Sequence, residues 1–154
     1  MKKRSKYRPK GKLINPVAYV LESLKPVRYH DGYLVDLKIK NHGSMEALTK
    51  GNAGRTEIDL LINMGNTTEA LYRLGFGEDY GDVVEQGLDA LHEVGKRGIE
   101  TGRFILKAHE MSHLNLLMEL HDAQMEVITV KDMERAADLI GKEFDQRKMR
   151  RMKT

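Results

Sequence analysis

The sequence predicts a mainly α fold, a compact bundle of about five helices with one N-terminal β-hairpin and a basic tail at each end. Three observations carry this. From Ser44 onward, apolar residues recur every three or four positions, the period of a helix with one buried face. Upstream, Asp31-Gly32 separates Val27-Arg28-Tyr29-His30 from a run that alternates from Tyr33 to Lys40. Residues 1–12 hold seven Lys or Arg, and residues 147–154 hold five, with no acid in either stretch. The domain reading is a basic tail over 1–12, one helical domain over 13–146, and a basic tail over 147–154.

Taken in order, Asn15-Pro16 reads as a helix cap followed by proline at the first helical position. A short helix over 17–24 follows, with Val17, Val20, Leu21 and Leu24 on one side, and Pro26 stops it. The hairpin, about 27–40, would place Tyr33, Val35, Leu37 and Ile39 on a half-buried face. A lone hairpin is marginal in water, so it must lie on helices or on another chain. Asn41-His42-Gly43-Ser44 reads as a turn whose Ser44 caps a short helix ending at Gly51.

Thr56 would cap a helix to about Leu74, with Ile58, Leu61, Ile62, Ala70 and Leu71 inward and a kink at Gly65. Gly75-Phe76-Gly77 ends it and reads as a helix–helix connection, since its spacing and its two following acids do not suit a phosphate loop. A helix over 80–101 carries Val83, Val84, Leu88, Leu91 and Val94, with Gly102 as its C-terminal cap. Residues 108–128 form a long apolar helix. Thr129 and Asp132 make a capping box, and the last helix, 130–150, presents Met133, Ala136, Ala137, Ile140 and Phe144.

The charge distribution is sharper than the net +3 indicates. The two ends together hold +12, and the stretch 13–146 is net −9. The absence of Cys excludes disulfides, thiolate metal sites and thiol catalysis, and fits a reducing compartment. There is no run of 18 apolar residues, so no membrane span is expected, and no secretory signal is read at the N-terminus.

His109-Glu110-Met111-Ser112-His113 is a formal H-E-x-x-H. On a helix, positions i and i+4 bring two imidazoles to one face to hold zinc, and the Glu between them activates the bound water. A third ligand is missing at the spacing expected of such hydrolases, where Leu116 and Glu119 stand in place of Gly and His. A 100° helical plot puts Leu114, Leu117, Met118, His121, Met125 and Ile128 on one stripe with Glu110 at its edge. His109 and His113 fall on the other flank, near Leu116, Leu120 and Val127, so this helix reads as packed on two sides. The preferred reading makes the histidines packing residues with no cofactor. Zinc on His109 and His113, with Glu110 catalytic, is the alternative. His121 reads as a satisfied core histidine before a general base.

The basic ends supply the candidate contacts to a partner or to nucleic acid: Lys2, Lys3, Arg4, Lys6, Tyr7, Arg8 and Lys10, then Arg147, Lys148, Arg150 and Arg151. In such a contact the cations would meet phosphates and Tyr7 would stack on a base.

Lys6-Tyr7-Arg8-Pro9, Asn15-Pro16-Val17-Ala18-Tyr19-Val20-Leu21, Leu37-Lys38-Ile39-Lys40-Asn41-His42, and Met118-Glu119-Leu120-His121-Asp122-Ala123-Gln124 through Val130-Lys131-Asp132-Met133-Glu134-Arg135-Ala136 resemble a group of small phage and prophage proteins whose function is not established. The resemblance covers almost the whole chain. It implies a phage-borne accessory protein of the bacterial cytoplasm and supplies no site residues. The leading expectation is therefore a non-enzymatic protein that binds and occupies a host partner, such as a defence nuclease complex of the CRISPR-Cas kind, or nucleic acid. Expected partners are a host or phage protein complex, nucleic acid through the basic ends, and a second copy in a homodimer. A zinc metallohydrolase and a virion-associated structural or nucleic-acid-binding protein are the alternatives.

Overall fold

The structure is a computed structural model, and it describes the backbone of residues 16–30 and 32–152 and the side chains up to residue 146. Among these, six α-helices follow one another: α1 Pro16–Ser23, α2 Tyr33–Thr49, α3 Arg55–Arg73, α4 Gly81–Thr101, α5 Ala108–Val127 and α6 Val130–Met152. Single 3-10 turns at Val27–Tyr29 and Glu78–Tyr80 link α1 to α2 and α3 to α4. The mainly α class stands. No helix among the described residues is long and apolar enough to cross a membrane.

The hairpin is corrected. Residues 33–40 belong to α2, which runs without a break to Thr49. Gly32 sits before its first turn at φ 70°, a left-handed conformation that suits glycine. Leu34 and Leu37 pack on the core, and Asn41, Ser44, Met45 and Leu48 carry the stripe onward at helical spacing. The rest of the alternating set, Tyr33, Val35 and Ile39, is turned outward instead, with Val35 61% and Ile39 65% exposed. Asn41 to Ser44 is therefore helix, not a turn, and the Ser44 hydroxyl donates to the Lys40 carbonyl at 2.8 Å. The β character of Val27 survives as one antiparallel bridge, Pro26 with Thr129, where the Val27 amide donates to the Ile128 carbonyl at 3.0 Å.

The bundle is built around α3, which touches α2, α4, α5 and α6. One core cluster joins Met45 and Leu48 of α2, Ile58, Leu61 and Met64 of α3, Leu91 and Val94 of α4, and Leu114 and Leu117 of α5. A second joins Val27, Leu71, Met125, Ile128 and Ala136. Glycine sets the helix spacing. A Cβ at Gly87 would stand 2.7 Å from the Leu117 Cβ, and one at Gly98 only 2.0 Å from the Phe104 ring. Gly65 plays the same part in α3, where a Cβ would meet Leu91 at 2.8 Å.

Several expectations on the helix ends hold. Gly102 caps α4 at φ 75°. The Thr129 amide donates to Asp132 at 2.9 Å and the Asp132 amide to the Thr129 hydroxyl at 3.2 Å, so the capping box is formed. Thr56 is not a cap. The cap is Gly54, two positions earlier, whose amide donates to the Glu57 carboxylate at 2.8 Å. Gln124, fully inside, ties α5 to the end of α3 by donating to the Thr68 and Phe76 carbonyls at 3.1 Å.

Helix α1 is inverted relative to its apolar stripe. Its single buried residue is Ser23, while Val20, Leu21 and Leu24 are 52–60% exposed. Tyr19 fixes the helix to α6 by donating to the Glu134 carboxylate at 3.1 Å. Asn15, the proposed cap of this helix, lies outside the described residues.

Candidate functional site

Helix α5 begins after an extended Lys107, and its third residue is Glu110. The Lys107 amide donates to one Glu110 oxygen at 2.9 Å, which satisfies a backbone group that the helix leaves open. Arg97 reaches over from α4 and donates to both oxygens, at 2.6 and 3.1 Å. The same guanidinium donates to the Ile105 carbonyl. One arginine thus holds the end of α4, the connection after it and the start of α5. Burial alone would raise the Glu110 carboxyl, but Arg97 and the Lys107 amide outweigh it and hold the group below its ordinary value.

The two histidines of the motif share a cleft of about 200 Å³ between α4 and α5, with Gln86, Asp89 and Glu93 opposite. His109 is exposed and His113 half-buried. Their rings meet edge to face, with centroids 6.4 Å apart. Among the described residues, no three His, Asp or Glu are grouped so as to hold a metal ion. The motif's glutamate lines the same cleft but is a helix cap and an ion-pair partner, its oxygens taken up by Arg97 and the Lys107 amide.

The inner stripe of α5 is as expected, with Leu114, Leu117, Met125 and Ile128 fully buried and Glu110 3% exposed at its edge. The expectation of a second packed flank fails. Leu120 is buried there, but Leu116 is 46% and Val127 66% exposed.

His121 is buried at 1% exposure, and its Nδ1 has no hydrogen-bond partner. Asp122 stands 3.8 Å from it, too far for a hydrogen bond. The other Asp122 oxygen takes His42 of α2 at 2.7 Å. Burial would raise Asp122, and the His121 and His42 rings reverse this and lower it. Lys38 and Glu126, at 2.9 Å, make a second tie between the same helices.

Lys2, Lys3, Arg4, Lys6, Tyr7, Arg8 and Lys10 lie outside the described residues. Arg147, Lys148, Arg150 and Arg151 sit on the helical backbone of α6, which continues across residue 146 to Met152.

One feature of the site escaped the sequence reading. Asp82, Glu85, Asp89, Glu93 and Glu100 of α4 follow one another by three, four, four and seven residues, and all are exposed. That spacing keeps them on one side of the helix. None has an ion pair within 4 Å among the described residues, although the charge of Glu93 acts on Arg97 one turn on, whereas Glu46, Asp59, Glu69 and Glu126 on other helices each have such a pair. Glu85 with Asp89 and Asp89 with Glu93 are like charges at i,i+4, each unfavourable by about 0.2–0.5 kcal/mol. The signal lies in the sequence, as an acidic period running beside the apolar period of α4.

No family model matches the chain, and no curated protein and no solved structure matches it either.

Proposed function

We propose that the chain is a non-enzymatic accessory protein of phage type, working in the bacterial cytoplasm by binding and occupying a partner protein complex. The observation that carries this reading is the outward face of α1, where Val20, Leu21 and Leu24 are each more than half exposed on a helix anchored through Tyr19. A contiguous apolar helix face on a water-facing surface marks a place where something else binds. The commitment of Glu110 to Arg97 and to the start of α5 argues against the rival hydrolase, because it occupies the base which that chemistry requires.

The test is recovery of the untagged protein from its native cell with what accompanies it. A stoichiometric protein partner is expected, retained by the wild type and lost from Leu21→Glu/Leu24→Glu at unchanged helicity. Stoichiometric zinc, with a hydrolytic activity that disappears in His113→Ala, would replace this reading with the metalloenzyme.

A further inference from the structure

The acidic row on α4 borders an apolar groove. Between α3 and α4 lies an open depression of about 700 Å³, floored by Ile62, Leu88, Leu91 and Ile99, with Glu69 and Glu100 at its rim. Ile99 is 76% exposed and Ile62 37%, so the floor is open to an incoming side chain. From Asp82 to Glu100 the row extends about 27 Å along the helix axis. Lys96 stands within the row, and Arg97, held by Glu110, borders it one turn beyond Glu93.

These features specify an occupant. Unpaired carboxylates of one sign along a helix attract a matching row of cations and repel phosphate. A small amine would neutralise one or two of them and leave the length of the row unused. A groove that is mostly apolar and lies to one side of the row takes a bulky apolar side chain. We infer that the α3–α4 face is the docking site for a cationic helical segment of a partner protein, with Lys or Arg along one face and one large apolar anchor that enters the Ile62–Ile99 groove. This rests on the reading of the chain as a protein that occupies a partner, and it names the chemistry of that partner and a second working face beside α1.

The test uses the full chain and a synthetic helical peptide of about 18 residues, the length that spans the row, with Lys or Arg at i,i+4 and one Phe anchor. Fluorescence anisotropy should give saturable one-to-one binding. Glu85→Gln/Asp89→Asn/Glu93→Gln should weaken it at least about tenfold, as should Ile99→Ser, with helicity unchanged in both variants. Replacing the Phe anchor by Ser should weaken it to a similar extent. Equal binding by the neutralised variant, or by the anchorless peptide, overturns the proposal. So does a wild-type dimer that the same substitutions dissociate, because the occupant would then be a second copy of the chain. Native recovery of a partner that the α1 variant loses and the α4 variant keeps would overturn this inference while leaving the occupying function intact.

Discussion

Arg97 grips Glu110 with two nitrogens, at 2.6 and 3.1 Å, across the seam between α4 and α5. The Glu110 side chain is 4% exposed and that of Arg97 19%, so the pair is shielded from most of the solvent. Removing one member of a buried pair leaves the other charge without compensation. Arg97→Ala should therefore cost about 2–4 kcal/mol, the lower end reflecting the partial exposure of Arg97. The pH dependence gives a second readout. In the wild type the Glu110 value is depressed on folding. Its stabilisation is present above the ordinary carboxylate range and fades as pH falls through the lower folded value. In Arg97→Met, burial prevails, so the variant gains stability relative to wild type as pH falls. Urea unfolding between pH 7 and pH 4 checks the sign.

Gly98 and Gly95 lie three residues apart on α4 and should respond oppositely to alanine. A Cβ at Gly98 runs into the Phe104 ring at 2.0 Å, while one at Gly95 meets nothing within 4 Å. Overpacking of this kind costs about 1–3 kcal/mol, more than the gain of up to about 1 kcal/mol from helix propensity. Gly98→Ala should lower the thermal midpoint, and adding Phe104→Leu should recover part of the loss. Gly95→Ala should raise it by the propensity term. A stabilised Gly98→Ala would mean that Phe104 does not pack where it stands.

Much of the bundle was legible because its helices announce themselves by spacing and by caps. The stripe of α5, the Gly102 cap and the Thr129–Asp132 box all follow from local chemistry. The segment 33–40 was not legible, because Tyr33-Leu34-Val35-Asp36-Leu37-Lys38-Ile39-Lys40 satisfies two periods at once. Val35 and Ile39 fit alternation with Leu37, and Leu34 and Leu37 fit a helix. The continuation through Asn41, Ser44, Met45 and Leu48 decides for the helix, and these are polar or small enough in part to hide the stripe. The role of Glu110 was hidden for a different reason. Its place at a helix edge can be plotted, but its partner Arg97 belongs to another helix.

The same ambiguity yields a direct check. Leu34 packs on the second core cluster and Val35 is 61% exposed. Leu34→Asp should lose about 2–3 kcal/mol, and Val35→Asp should stay within about 0.5 kcal/mol of wild type. A strand over these residues would reverse the order.

Asp122 joins α2 to α5 through His42, and the tie should be visible in acid. Its folded value lies below the ordinary one, so its contribution is present above that range and is lost as pH falls through the folded value. His42 is 55% exposed, which limits the effect through solvent screening. Asp122→Asn should lower stability near neutrality by less than about 1 kcal/mol. The variant and wild-type curves should converge as pH falls, as chemical unfolding across the acid range would show. Curves that stay apart would mean that the carboxylate's charge plays no part.

The row on α4 should show its self-repulsion in the isolated protein. Asp89 has Glu85 and Glu93 one turn away on either side, and faces His109 and His113 across the α4–α5 cleft without an ion pair to either. Asp89→Asn should stabilise the fold by about 0.2–0.5 kcal/mol for each of the two repulsions it relieves. Lys96→Gln removes a cation from within the row and should act in the opposite direction. Both effects belong to exposed charges, so they should be largest near 0.01 M salt and disappear near 1 M, where the screening length falls to about 3 Å. Thermal melts of the two variants at both salt concentrations test this. A destabilised Asp89→Asn at low salt would reveal a cation already compensating the row, and the α4 face would then not be free to take a cationic helix.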